Sequence, residues 1–549
     1  MLRGGIMSTQ PDILPEIELT PEERFKDIVN KVEELVGNPI SSWAVAATIE
    51  SIGIRDVDAI SDYNYPSVFE LAEDVYTILK KRYSKQSQVD EKENIKLGDF
   101  SDSVVLFLKY YSAGLLFSLP MISQIVAIII FQYALWAWLY FNEAQASVIA
   151  FGTIAAFVLT GGFIQVLGRL VSKYKGEENY YLAYKAIKGV LKLAIPLVLV
   201  SALFLIALNV VLPFYPLRMV FLAMMYLILI SFMMLAAAVL YASAQRAIIL
   251  VSVLVGTGVV ILGMEVFNLG IYISQWIGII ASTVVQTVYF IGYYQFKIRS
   301  FRQQLFKQSL PNTEVSYYNN YRYFLYGFAY FSFLFVDRML AWSTGEVIPP
   351  YIIWFNTPYE LGMDWALITL VLTVAMLEFS IQLFSKNIIP VQKKAKLSAI
   401  KYFNRYFKRF YATQIVLLLV ISVISILATY YGILSLRVFE NEVPEIKDFF
   451  ANPITFKVFW MASFGYVFLI YGLLNSLFFF TMNRPEFVIY SMIPSLGVNL
   501  VVGFICSRVF SFEYATIGLI FGSISFALIS GYLARKFFKH LDYFYYSAY

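Results

Sequence analysis

Between Tyr321 and Thr344 runs an aromatic and apolar stretch, YRYFLYGFAYFSFLFVDRMLAWST, that carries Asp337 and Arg338 side by side. A charge at the centre of a membrane-spanning helix costs about 2.5–3.5 kcal/mol on insertion scales, so two adjacent charges require a partner, water or a role. Arginine stays charged and offers a planar fork of donors suited to a carboxylate, a phosphate or sugar hydroxyls. Asp364 lies in the next apolar segment, a few residues beyond Pro358. If the two segments are antiparallel, it falls at a similar depth. The three residues predict a polar cluster in which Arg338 pairs with Asp364 or Asp337 in one state and with cargo or ions in another. A permanent ion pair near the interface is the alternative. Nearer the other end of that second segment, Glu378 sits one turn from Gln382. It is a candidate proton carrier or a partner for Lys386.

Other chemistries are poorly supplied. One cysteine, Cys506, and one histidine, His540, exclude an intramolecular disulfide and a Cys/His metal site. The chain has no glycine-rich phosphate loop of the Walker type. No metal, cofactor or catalytic group is expected, and the chain is not read as an enzyme.

The elements that position these charges follow from composition. Of 549 residues 59% are hydrophobic, 18% aromatic and only 14% charged, whereas soluble domains carry nearer a quarter charged residues. The chain is therefore read as an all-α, polytopic membrane protein. Residues 1–102 hold 20 acidic and 11 basic residues, and the remainder 17 and 31. An acidic soluble part thus precedes a basic membrane part. The first twenty residues contain no apolar core for a signal peptide, so the soluble part is expected in the cytoplasm.

Residues 1–100 read as a small helical domain with a polar linker. Thr20 followed by Pro21, Glu22 and Glu23 marks a helix start, Ser41 or Ser42 a second, and Pro66 a third. Residues 84–99 form the linker. The domain suits docking or regulation, and a cytoplasmic glycosyltransferase is the candidate partner; nucleic acid is not.

Twelve apolar segments follow, each near or above the roughly 20 residues a spanning helix needs: 111–140, 146–170, 187–212, 217–241, 247–267, 271–295, 321–343, 358–384, 410–432, 456–481, 486–507 and 512–534. Basic residues crowd alternate connections, Arg169 to Lys188, Lys297 to Arg322 and Lys386 to Arg409, while Glu440, Glu442, Glu445 and Asp448 occupy an opposite one. The positive-inside rule then places both termini in the cytoplasm. Glu265 and Arg246 read as helix-boundary residues.

The basic connection at 297–320 falls midway, leaving six helices in 105–296 and six in 321–549. Even halves share an orientation, so a repeat would be parallel. Gln165 and Arg169 end the second helix as Gln382 and Lys386 end the eighth, each before a basic loop. These four are candidates for contact with a substrate or lipid headgroup at the inner side. At the same offset Asp337 aligns with Pro120, so both halves interrupt their first helix at one depth, and Pro196 and Pro494 are further candidate bends.

Helix 2 ends GGFIQVLGRLVSKYKGEE, and helix 7 reads LYGFAYFSFLFVDRMLAW, with Gly327, Asp337, Arg338 and Trp342 in order. With two six-helix halves and a basic central loop, these segments resemble the Pel-type exopolysaccharide exporter family within the multidrug/oligosaccharidyl-lipid/polysaccharide (MOP) flippase superfamily. The segment NTPYELGMDWALITL adds to the likeness, which covers roughly 105–540. The resemblance implies a MATE-like pair of bundles, alternating access, and a polysaccharide or lipid-linked oligosaccharide as cargo at the cytoplasmic membrane, with membrane lipids as partners. An ion-coupled drug or cation antiporter on the same fold is the alternative, and a membrane glycosyltransferase a weaker one.

Overall fold

The computed structural model describes residues 20–37, 39, 41–84, 100–301, 310, 313–344, 351–394, 400–435 and 452–547. The linker 85–99, residues 302–309 of the central basic connection and the acidic stretch 440–448 lie outside the described residues.

Among the described residues four helices come first, α1 (Pro21–Val36), α2 (Ser42–Ser51), α3 (Asp56–Tyr63) and α4 (Val68–Ser84). Six long ones follow, α5 (Phe100–Phe131), α6 (Glu143–Gly176), α7 (Tyr180–Val211), α8 (Leu217–Ala242), α9 (Arg246–Glu265) and α10 (Ile271–Ser300). Six more are α11 (Thr313–Trp342), α12 (Thr357–Lys394), α13 (Ile400–Ser435), α14 (Pro453–Thr481), α15 (Pro485–Val509) and α16 (Ala515–Lys539), and a short α17 (Leu541–Tyr546) ends the chain. Eleven of the described helices are long and apolar enough to cross a membrane; in α5 the apolar stretch is shorter, Leu119–Phe131. The protein is thus an all-helical, polytopic membrane protein.

Contacts divide the chain into two compact units, one of Met1–Lys96, Ile388–Phe410 and Lys536–Tyr549, the other of Leu97–Asn387 and Tyr411–Arg535. The first unit adds two pieces from late in the chain to the N-terminal domain expected from sequence. Its core follows helical spacing: Val68, Leu71, Ala72, Val75 and Leu79 share one face of α4 and meet Ile28, Val29 and Val32 of α1. Helix α1 starts at the expected Thr20–Pro21 signal through a capping box in which Glu23 accepts from the Thr20 backbone N–H at 3.0 Å.

Helix α2 is different, because all six residues from Ala44 to Ile49 are buried. A helix that is apolar all round must be covered all round. Part of its cover is α17, from the other end of the sequence. Asp542, 1% exposed, accepts from Ser41 Oγ at 2.5 Å and from Asn404 Nδ2 at 3.1 Å. Ser41 is the N-cap of α2, where helix dipole and hydroxyl both favour a carboxylate. Around this knot Trp43 packs against Phe69, His540 and Tyr543 at ring separations of 4.9, 5.0 and 6.0 Å. Phe403 and Phe407, one turn apart at the start of α13, are fully buried in the same unit. Removing the carboxylate strands two donors at about 1–3 kcal/mol each. Asp542→Ala should therefore accelerate amide exchange and proteolysis across α1–α4 in the full-length protein. Unchanged protection there would show that the knot is not what holds the unit.

In the second unit, small residues set the helix crossings. A Cβ on Gly152 of α6 would lie 3.0 Å from Tyr226 Cβ of α8, and one on Gly256 of α9 2.7 Å from the Gly278 carbonyl oxygen of α10. Such stripes let membrane helices approach closely where burial against lipid supplies little driving force. The expected span 111–140 is corrected: α5 stops at Phe131 because Gln132 takes a left-handed φ of 68° and the chain folds back through a Tyr133–Trp138 bridge. Buried Gln124 holds this turn, accepting from the Leu135 N–H at 2.8 Å and donating to Thr257 at 2.9 Å. Pro120, Pro196 and Pro494 all lie inside continuous helices, α5, α7 and α15.

Two crossings tie the first six long helices to the last six. Helix α6 meets α11 where a Cβ on Gly161 would lie 2.7 Å from the Gly327 carbonyl oxygen, and a Cβ on Gly327 would overlap that of Gly161. Helix α5 meets α12 where a Cβ on Gly114 would lie 2.8 Å from Ala375 Cα. The second helix of each set thus crosses the first helix of the other.

Candidate functional site

Successive residues on a helix point about 100° apart, and the adjacent charges of α11 diverge accordingly. Asp337, fully buried, accepts from the Tyr359 hydroxyl at 2.9 Å, and Thr516 of α16 donates to that hydroxyl at 3.3 Å. The second carboxylate oxygen of Asp337 has no hydrogen-bond partner among the described residues. Arg338, 5% exposed, turns to α12 instead, where it pairs with Glu360 and with Asp364, the latter at 2.8 Å. Glu360 also accepts from Trp342 Nε1 at 2.8 Å.

Of the two partners expected for Arg338, Asp364 is in contact with it, while Asp337 bonds Tyr359 through one oxygen only. Glu360 was not anticipated. The signal was available in PYELGMD, where Glu360 precedes Asp364 by four residues and so shares its face of the helix. The carboxyl groups of Glu360 and Asp364 share one guanidinium here, and Asp337, on the next face of α11, adds a third carboxyl group beside them. The Glu360 side chain is 4% exposed and that of Asp364 63%, so the cluster runs from an enclosed end to an accessible one. The cluster holds more carboxyl groups than cations, and at its enclosed end burial favours balancing the excess with a proton or a cation. Among the described residues no group of three or more His, Cys, Asp or Glu is arranged to hold a metal ion.

Beyond this cluster the segment 351–356 between α11 and α12 is bonded to α6 and to the connection between α7 and α8. Tyr215 donates to the Ile353 carbonyl at 2.7 Å, Trp354 to Glu143 at 3.1 Å, and the Phe355 N–H to Ser147 at 2.9 Å. The opposite end of the same crossing is closed by other pairs. Arg169 donates to Asn483 at 2.5 Å and lies 5.1 Å over the Tyr323 ring. Glu378 binds Arg246 at 2.5 Å and accepts from Gln382 at 3.2 Å and the Tyr241 hydroxyl at 3.4 Å.

Two expectations change at that end. Glu378 is not isolated, and its partner is Arg246 rather than the exposed Lys386. Arg246, expected as a boundary residue, does open α9, yet it also joins α9 to α12. No local pattern announces this pair, because its members stand 132 residues apart. Gln165 lies at the α6–α11 crossing, its side-chain stem close to Gly327.

No family model matches the chain, and no curated protein does. Solved structures do. Over 79% of its length the chain superposes on a MATE protein crystallised in complex with MaD5, covering 96% of that chain at a TM-score of 0.53 and 12% identity. A MATE protein in the bent conformation gives 0.52 at 13% identity, again over 79% of this chain and 95% of the other. An outward-facing multidrug resistance MATE family transporter of the MOP superfamily gives 0.50 at 13% identity, over 79% and 96%. At such identities the likeness is one of architecture: the helices of this chain adopt the MATE-like fold.

Proposed function

We propose that this protein is an alternating-access transporter that moves a polysaccharide or lipid-linked oligosaccharide across the cytoplasmic membrane, with both termini in the cytoplasm. One observation carries the transport reading. The two sets of six helices meet at a glycine crossing, with polar pairs on both sides of it that are small enough to break in turn: Tyr215, Trp354 and Phe355 at one end, Arg169 and Arg246 at the other. The distribution of basic connections supports an Arg246 end that faces inward and a Trp354 end that faces outward. On this reading the Arg338 cluster lies beneath the outer gate and balances its surplus charge with an ion or proton during the cycle. The resemblance of helices 2 and 7 to polysaccharide exporters supports the glycan cargo. The surplus of carboxylates favours a second reading, an antiporter that exchanges a cation or cationic drug for protons.

The decisive measurement is flux in proteoliposomes. A fluorescently tagged polyprenyl-pyrophosphate-linked oligosaccharide should cross faster than in protein-free vesicles, and ethidium should not. Gradient-driven ethidium efflux without glycan movement would establish the antiporter instead. Within the same assay, Glu378→Gln removes an ion pair worth about 1.5–3 kcal/mol when charge-assisted. It should shift the resting population at least tenfold toward the state open at the Arg246 end, read as cysteine accessibility. Flux and accessibility like those of the parent across a pH series would discard both the gate and the proton-carrier role of Glu378.

A further inference from the structure

We infer that Lys175, Arg246 and Lys297 form a binding site for a phosphate-bearing headgroup, and that an occupant frees Glu378 from Arg246. The three cations come from three helices. Lys175, in the last turn of α6, donates to the Ser243 carbonyl at 2.8 Å, at the C-terminal end of α8. Arg246 opens α9 three residues later. Lys297, near the end of α10, lies 5.6 Å from the Tyr180 ring and 5.7 Å from that of Phe301. The Ser243 bond sets Lys175 beside the start of α9, and the Tyr180 ring under Lys297 stands five residues after Lys175, so one corner gathers all three cations. Glu378 reaches this corner by binding Arg246, while Glu177 and Glu178 sit in the exposed turn after α6.

The positive-inside rule accounts for lysines and arginines in solvated loops. It does not account for cations drawn together where they are partly out of water, an arrangement that costs free energy through both repulsion and desolvation. Arg246 keeps only 18% of its side chain exposed, and Lys175 is half-buried. A phosphate removes both costs, since it brings more negative charge than a carboxylate and several acceptor oxygens. Tyr174, Tyr180 and Tyr294 belong to the buried aromatic core behind the cations, and Lys297 lies over the Tyr180 ring, so the phosphate site is a charged rim at the edge of that core.

Glu378 is placed to lose the competition without being stranded. Gln382 and Tyr241 already donate to it at 3.2 and 3.4 Å, so its carboxylate keeps two donors when Arg246 turns to phosphate. Gln382 moves with it because both belong to α12. Occupancy of the corner and release of the α9–α12 contact are then one event. Binding by the three cations stands without the transport reading; only the consequence of release rests on that reading.

The test uses the full-length protein in a Cys506→Ser background, in phosphatidylcholine nanodiscs, with spin labels at Val251→Cys on α9 and Ser385→Cys on α12. Farnesyl pyrophosphate should bind and lengthen the label separation. Lys175→Gln and Lys297→Gln should each weaken it about tenfold, Lys175→Arg should restore affinity, and exposed Lys192→Gln should change nothing. Inorganic pyrophosphate competing with farnesyl pyrophosphate supports the site with phosphate as the recognised group. Saturation by phosphatidylglycerol nanodiscs alone supports it with bulk lipid as the source. Equal affinity in the parent and in the double Lys→Gln variant, with both monodisperse, overturns the site. Binding without lengthening overturns the displacement of Glu378. Binding and lengthening in a protein that moves no glycan leave the site standing and remove the transport reading; flux without any phosphate affinity does the reverse.

Discussion

Arg338→Gln should lower the thermal stability of the purified protein more than any other single charge removal in the membrane helices, and should abolish transport. The guanidinium is the one cation paired with Glu360 and Asp364 among the described residues. Breaking a buried pair by deleting one partner costs about 3–5 kcal/mol, because the remaining charge stays out of water. The cluster would then hold three carboxyl groups and no cation. A charge-balanced double variant, Arg338→Gln with Glu360→Gln, should recover a large part of that loss, and the two single effects should fail to add by well over 1 kcal/mol. Additive losses would mean that packing, not charge, holds the cluster. Asp337→Asn separates stability from function. The amide oxygen still accepts from Tyr359 at the existing 2.9 Å geometry, so the fold should survive. Loss of flux in a stable Asp337→Asn protein would identify a working carboxylate, whereas intact flux in both Asp337→Asn and a folded Arg338→Gln would reduce the cluster to a structural ion pair.

The second large effect should come from Gly327→Val. Two opposing terms decide its sign. Glycine in a helix interior costs about 1 kcal/mol relative to a good helix former, which favours substitution. Against this, a Cβ at Gly327 would overlap the Gly161 backbone, and the neighbour cannot yield as a flexible side chain would. Overpacking of this kind costs typically 1–3 kcal/mol and occasionally more, so the clash wins. The two helices must then part, and the pairs at both ends of the crossing lengthen with them. Lower thermal stability and reduced cross-linking between cysteines on α6 and α11 are expected. Gly189, on α7, supplies the opposite sign, because its Cβ position meets nothing within 4 Å. Gly189→Ala should stabilise by about 0.5–1 kcal/mol. Equal effects at the two glycines would show that helix propensity, not the crossing, governs Gly327.

Much of this architecture is legible in local sequence because its causes are local. Apolar length specifies the long helices, and Thr20 with Glu23 specifies the start of α1 as a capping box does anywhere. Asp337 and Arg338 stand out because charge is expensive where they are. Legibility ends where a partner is distant. The end of α5 depends on Gln124 reaching the Leu135 N–H, and a run of apolar residues from 111 to 140 conceals that turn. Glu360 hides for a subtler reason: near the start of a helix it looks like an ordinary first-turn acid, and only the fold brings Arg338 to it. Arg246 looks like a helix-end cation until Glu378 arrives from another helix.

The Asp542 knot also bears on the order in which the protein can be made. Residues 41 and 542 are joined by one hydrogen bond across a separation of 501 residues, with residue 404 drawn in beside them. A chain emerges from the ribosome N-terminus first, at about 5–20 residues per second. Helix α2 therefore exists for roughly half a minute or longer before its C-terminal cover is synthesised. During that interval Trp43 and Phe69 lack the His540 and Tyr543 rings they later pack against. Completion of the first unit thus reports that translation has reached the last helix, and a chain cut short after Arg535 carries an uncovered α2 by which cellular quality control can recognise it.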